Sequence, residues 1–529
     1  MPHLTRGAAD KFMIEDQNDI FDSRIKQHDR HRFEIKLDID LDSAAKSSYE
    51  VETYFFVPRA LNIGPHNYNK ENFYNSCQRY IRFRTPKISL GKLCDPALQT
   101  SPLNRIREDM SKVLAGAGDA ALTGKICDEF RLLGCIIRGE IRDYVKIFAE
   151  GLATYSSTVP AAQRQLFVGE GLDNFLGDLK NLETSLSSLK AELSDPAVPV
   201  KIRETAAFFD EYMSLILEEY LTSLVEALRR DPAARGRFED VERGVLAIVT
   251  AQNHYRQAMK YPSVLAPGSS NEVLIYRRGV LKKFISSVLY LKAEFSEWEG
   301  LTQVFFGLAA GSAMFFAVLV TFFVGRRYAV NSMPFVVAVV ISYIFKDRIK
   351  DWLKMLFSKS LTRWISDRKI DILDSSGGGA RIGLLKEAFT FLSDRDLPPD
   401  IARLRRVDNI TSVDEEGKPE RTFKYKKEII LYPEVIIRSH ERRRDLNDIM
   451  RFNIRDLVAQ ADDAAVDYPY VDAETGDVRT AVCARVYHLN MVMKYTYHDR
   501  EGQVTIHYER VRIVLNKDGI ARLEEVRVA

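Results

Sequence analysis

Few side chains in this sequence stand at spacings that do chemistry. Nearest to a phosphate loop is SSGGGARIGLLK (375–386), whose glycines precede an apolar run read as a helix. A phosphate cradle needs a strand leading in and a Gly-Lys-Ser/Thr ending whose lysine and hydroxyl reach the phosphates and their magnesium. Neither is present, so the stretch reads as a flexible linker. Gly116 and Gly118 in AGAGDA (115–120) read as an inter-helix turn.

Histidines offer the next candidates. His28 and His31 form HDRH in a polar stretch outside any predicted helix, so helical ligand geometry is not supplied. His488, His498 and His507 fall on predicted strands. The DREG turn pairs His498 with Gln503 and Lys494 with His507, which sets His498 and His507 about 13 Å apart, too far to share zinc. Cys77, Cys94, Cys127, Cys135 and Cys483 contain no CxxC spacing and are odd in number, as reduced cytoplasmic thiols are. No nucleophile elbow, kinase set or HExxH helix occurs. The sequence therefore nominates no catalytic residue, no cofactor-binding residue, no metal ligand and no cofactor, and reads as a non-enzymatic protein.

Composition narrows the classes further. In 529 residues, 76 Lys and Arg balance 74 Asp and Glu, a net charge of +2 that offers no global field for nucleic acid. A charged fraction of 28% and a hydrophobic fraction of 46% belong to a folded chain. The stretch MPHLTRGAADKFMIEDQND lacks the apolar core of a signal peptide, so soluble arms are expected in the cytoplasm.

The strongest pattern is apolar. Gln303 to Val324 carries no charge, and at ~1.5 Å per residue makes a helix of about 33 Å, enough for a hydrocarbon layer of ~30 Å. Met333 to Phe345 makes only about 20 Å, in the range of a re-entrant segment, or about 27 Å if the helix starts at Tyr328. With Gly325, Arg326 and Arg327 as the turn, these runs predict a two-helix transmembrane hairpin. Lys283 and Lys292 before it, and Lys346, Arg348, Lys350, Lys354, Lys359 and Arg363 after it, outnumber the two arginines of the turn. Both termini are thereby assigned to the cytoplasm and the protein to the inner membrane of the cell. Gly307 and Gly311 form GxxxG, and Ala309, Ala313 and Ala317 share the four-residue spacing. Such small residues admit close packing against the second run or a second copy. Residues 346–369 follow as a basic amphipathic helix. Lys346, Lys350, Lys354, Lys359 and Arg363 with Trp352 and Trp364 suit an anionic headgroup surface.

Other elements must position this hairpin. Phe175, Leu179, Leu182, Leu186, Leu189 and Leu193 alternate steps of four and three. After the break at Pro196 and Pro199, Ile202, Ala206, Phe209, Met213, Ile216 and Tyr220 repeat the seam, predicting an antiparallel coiled-coil hairpin. Ile126 to Phe148 supplies a third helix. A helix over 272–298 is expected to run on into the first apolar run. FEIKLDIDL (33–41) and YEVETYFFV (49–57) alternate as two strands joined by a polar turn. Near the C-terminus, 421–432, 486–498, 503–515 and ARLEEVRV read as strands, with a bulge between Tyr508 and Val511, and 442–460 reads as an amphipathic helix.

The expected fold class is an α+β membrane protein with a cytoplasmic helical bundle, a two-helix transmembrane hairpin and antiparallel β-containing terminal regions. Its divisions are 1–95 (β-hairpin region), 96–300 (helical bundle), 301–346 (transmembrane hairpin), 347–400 (basic juxtamembrane helix and linker) and 401–529 (C-terminal α+β domain). The apolar face of the N-terminal strands must be covered, either by the C-terminal sheet in one unit or by local helices in separate domains. The function expected is a protein-binding scaffold or sensor with anionic lipid, an unidentified protein and a second copy as partners, and no nucleic acid. A subunit of an oligomeric channel or transport component ranks second, and a membrane-tethered enzyme without a recognisable motif third.

Overall fold

The structure, a computed structural model, describes residues 21–41, 47–158, 161–230, 239–296, 299–330, 332–364, 366–375, 379–408, 420–442, 445–498 and 504–527. The chain begins with β1 (Phe21–Asp29), β2 (Arg32–Ile39), β3 (Ser47–Pro58), α1 (Lys70–Ser76), β4 (Cys77–Phe83), α2 (Leu90–Leu93) and α3 (Pro102–Lys112). Long helices follow: α4 (Ala120–Thr158), α5 (Ala161–Leu193), α6 (Val200–Arg230), α7 (Glu239–Ala258) and α8 (Glu272–Ser286). Then β5 (Lys292–Ser296) leads into α9 (Glu299–Gly325) and α10 (Met333–Trp364), and β6 (Arg368–Leu373) returns the chain. The rest comprises β7 (Arg381–Leu392), α11 (Pro399–Arg406), β8 (Glu420–Leu431), β9 (Leu446–Asn453), β10 (Ala465–Val471), β11 (Val478–Ala484), β12 (Tyr487–His498), β13 (Val504–Asn516) and β14 (Gly519–Val526), with short helices at Pro433–Ser439 and Arg455–Val458.

An α+β fold with large antiparallel sheets results. One sheet has the order β1-β2-β9-β4, a second β14-β13-β12-β3-β8-β7-β6-β5, and β10-β11 stands apart. Alternation in β3 turns Tyr49, Val51, Phe55 and Val57 into the core. There Phe55 stacks on Phe423 of β8 at 4.7 Å and meets Phe452 of β9 at 5.5 Å. From α1, Phe73 stacks on Phe389 of β7 at 4.6 Å. Aromatic side chains therefore fill the space between the two sheets, where their large area contributes most. The seams of α5 and α6 are buried at Phe175, Leu179, Leu182 and Leu189 and at Ile202, Ala206, Phe209, Met213 and Ile216. Tyr144 of α4 stacks on Phe175 at 3.9 Å.

The two termini build one unit, so C-terminal strands rather than local helices alone take up the N-terminal ones. β2 pairs with β9, and β3 lies between β8 and β12. The two predicted N-terminal strands do not pair with each other, however, because each finds its partners in a different sheet.

The two-helix transmembrane hairpin is overturned. Among the described residues only Val304–Gly325, 22 residues long, is both long and apolar enough to cross a membrane. α10 is apolar only from Met333 to Phe345, and its charged half runs beside the first turns of α9, with Lys354 Nζ 5.2 Å from the Phe306 ring centre.

Four smaller expectations also fail. The helix ahead of α9 stops at Ser286, because β5 pairs with β6 and Leu291 N–H donates to Ile81 O at 3.0 Å. Residues 446–453 form β9 rather than a helix. Leu446 to Met450 are all buried, so both faces of this strand are covered and it need not alternate. The glycine-rich stretch leads into strand β7 rather than a helix, its residues 376–378 lying outside the described ones. β12 and β13 pair without a register shift, so the apolar parity change after Tyr508 is a change of burial and not a bulge.

Candidate membrane-anchoring site

The α9–α10 hairpin leaves much of its apolar surface uncovered. Phe315, Phe322, Phe323, Val337, Ile341 and Ile344 are all exposed. Small residues set how the two helices touch. Ala309, Ala313 and Ala317 are buried under α10, and Ser342 Oγ donates to Ala317 O at 3.4 Å. Gly307 and Gly311 lie two residues, about 200° of helix, from the alanines. Nothing stands within 4 Å of a Cβ built on either one.

The predicted lipid-surface residues occupy the proximal half of α10. Lys346 stacks on Tyr343 at 3.7 Å, Lys350 is half-buried, and Trp352 is 64% exposed. Lys354 stands over Phe306. Lys359, Arg363 and Trp364 belong to α10, but their side chains lie outside the described ones.

The root of the hairpin is fastened by charge. β5 and β6 pair from Lys292↔Leu373 to Ser296↔Lys369, so the chain leaves and re-enters the large sheet on neighbouring strands. Asp367, just after α10, accepts from Lys70, from Tyr74 Oη at 3.1 Å and from the Phe389 amide at 2.7 Å. Arg368 lies over the Tyr74 ring at 4.0 Å. Burial, reinforced by Asp367, pushes the Tyr74 phenol well above its ordinary pKa.

Deeper in, four inner strands each place one charge in a largely apolar row. Arg79 of β4 pairs with Glu387 of β7, which also accepts from Tyr425 Oη, and Lys427 of β8 pairs with Asp448 of β9. Glu387 and Lys427 are cross-strand neighbours. The four form a charge-balanced quartet between the sheets. Burial pushes the Lys427 ammonium below its ordinary pKa, with Asp448 opposing, and raises the Cys77 thiol to about 12. Sequence reasoning missed this quartet. Its signal was a lone charge in an inward row, such as Lys427 among Phe423, Tyr425, Ile429 and Leu431.

The remaining candidates do not converge. His28 Nδ1 lies 3.9 Å from Glu34, and the His31 amide donates to Asp29 within the β1–β2 turn. His507 stands opposite Tyr495, one residue from the register expected, and 3.9 Å from Glu509. His440, singled out by no motif, makes a buried pair with Asp374. All five cysteines carry free thiols, and no group of three or more His, Cys, Asp or Glu among the described residues is placed to hold a metal. Comparison with protein-family models, with characterised proteins and with solved structures finds no match for this chain.

Proposed function

We propose that the protein is a membrane-attached binding scaffold. The distal, apolar end of α9–α10 enters the near leaflet, and the two sheets and the helical bundle sit together on the cytoplasmic side. One observation carries this reading: the exposed apolar side chains around the hairpin's end, from Phe315 to Ile344. A continuous patch of that kind is costly in water and marks a membrane or protein contact. The apolar part shared by both helices is about 20 Å, short of the ~30 Å needed to cross. A slanted seat in one leaflet leaves Arg326 and Arg327 within snorkelling reach of headgroups. The basic half of α10, with Trp352, favours anionic lipid there. A protein partner is supported by a second apolar patch, on α8, where Val273, Ile275 and Tyr276 are exposed. An oligomeric transport component is the second reading, favoured by the uncovered flank at Gly307 and Gly311.

Flotation of the full chain with phosphatidylcholine–phosphatidylglycerol vesicles tests the anchor. The wild type is expected to float, and a variant with Phe315→Glu, Phe322→Glu and Ile341→Glu to remain at the bottom of the gradient. Equal flotation of both would end the membrane reading. A defined oligomer that never binds vesicles would transfer the apolar surface to self-association.

A further inference from the structure

The β10–β11 hairpin pairs with no other strand of the described chain and is exposed along nearly its whole length. Val466, Tyr468, Tyr470, Val478 and Val482 all face solvent, Val482 at 74%. A two-stranded ribbon is marginal in water by itself, and one this apolar calls for further strands.

Its hydrogen bonds show which edge is available. Asp472 N donates to Asp477 O at 2.9 Å, and Arg485 N to Ala464 O at 2.9 Å, so both ends of the ladder are hydrogen-bonded pairs. Antiparallel pairs alternate. With the register Tyr470↔Arg479, Tyr468↔Ala481 and Val466↔Cys483, those residues bond inward. The N–H and C=O groups of Val478, Thr480, Val482 and Ala484 therefore point out along β11. On β10 the matching outward positions include Pro469, which has no N–H, so that edge is blocked in its middle. β11 is the open edge.

We propose that β11 pairs with β11 of a second copy of this chain, antiparallel about a two-fold axis at Ala481, to give a four-stranded sheet β10-β11-β11-β10. Charge complementarity selects both the occupant and the register. Centred on Ala481, the pairing sets Asp477 opposite Arg485 of the other copy at both ends and Thr480 opposite Val482. Arg485 already holds Asp462 of its own chain at 3.2 Å and gains a second carboxylate there. A centre one residue on, at Val482, sets Arg479 against Arg485, a like-charge clash. A centre one residue back, at Thr480, sets Asp477 against Cys483 and uses neither charge.

The test is the mass of the full chain in mild detergent, by light scattering and sedimentation. Thr480→Pro removes an outward N–H and leaves the hairpin's own ladder intact. It is expected to halve the mass, whereas Asp467→Pro, on the blocked edge, leaves the mass unchanged. Ala481→Cys puts a thiol opposite itself in a non-hydrogen-bonded pair, at a spacing a disulfide spans. Mild oxidation should then yield a covalent dimer that Asp477→Arg suppresses and Asp477→Arg with Arg485→Asp restores. A monomeric wild type with no Ala481→Cys crosslink overturns the proposal. So does a dimer indifferent to Thr480→Pro, or a different polypeptide bound stoichiometrically in a Thr480-dependent way.

Discussion

Lys427 on β8 reaches from the eight-stranded sheet to Asp448 on β9 of the four-stranded sheet, with only 4% and 5% of the two side chains exposed. Together with the neighbouring Arg79–Glu387 pair it ties one sheet to the other amid the aromatic rings of the core. Asp448→Ala strands an ammonium in that interior and is expected to cost about 3–5 kcal/mol. Lys427→Met combined with Asp448→Leu removes both charges and should cost far less. Urea midpoints of the three proteins check this. A single variant as stable as the double one would show that the pair is not held away from water.

Glu34 on β2 supplies a pH dependence with a definite sign. Burial by itself raises its pKa, but the hydrogen bond from Arg451 and the charge of Lys26 outweigh burial and hold the carboxyl below its ordinary 4.5. The stabilisation is fully present above that ordinary value and lost as pH falls through the lower, folded one. Glu34→Gln should therefore be less stable than wild type at pH 7 and approach it below pH 4.5. Parallel stability curves for the two proteins across that range would refute the assignment.

The basic half of α10 should govern lipid preference. Replacing Lys350, Lys354, Lys359 and Arg363 by Gln removes four charges, each contributing about 1 kcal/mol beside an anionic surface. Flotation with anionic vesicles should fall sharply, and salt should reproduce the fall in the wild type. Undiminished binding of the variant would leave the apolar end as the sole anchor.

The tip of the hairpin distinguishes a seat in one leaflet from a crossing. A cysteine at Arg327, in a background without the exposed Cys483, should resist an impermeant thiol reagent added outside intact cells. It should react once the cells are opened. Labelling from outside would place the tip on the far side.

Legibility in the sequence followed how local each cause was. The α5 and α6 seams could be read because a helix buries neighbours three and four residues apart, and Pro196 and Pro199 marked the break. Alternation in β2 and β3 was equally plain, since their inner faces are continuous. β9 defeated the reading because both its faces are covered, with Leu446 to Met450 all buried, which leaves no solvent face to reveal a period of two. α10 misled because a start carried back to Tyr328 lengthens the apolar run, whereas the helix begins at Met333 and its apolar part ends at Phe345. The charge quartet draws on four strands, and no window of sequence contains more than a fragment of it.

The position of β3 has a consequence for the order of events during synthesis. Its neighbours, β8 and β12, begin at residues 420 and 487. At ~5–20 residues per second, roughly 20–70 s separate the appearance of β3 from that of β8, and the inner face of β3 must wait uncovered for that time. α9 emerges in the interval. Any lipid contact therefore forms while the sheets are still incomplete, and nascent chains ending near residue 410 should show a protease-sensitive β3 beside an already engaged hairpin. The two sheets close only after α9 and α10 have been made, and the last strands made are the ones that seal them.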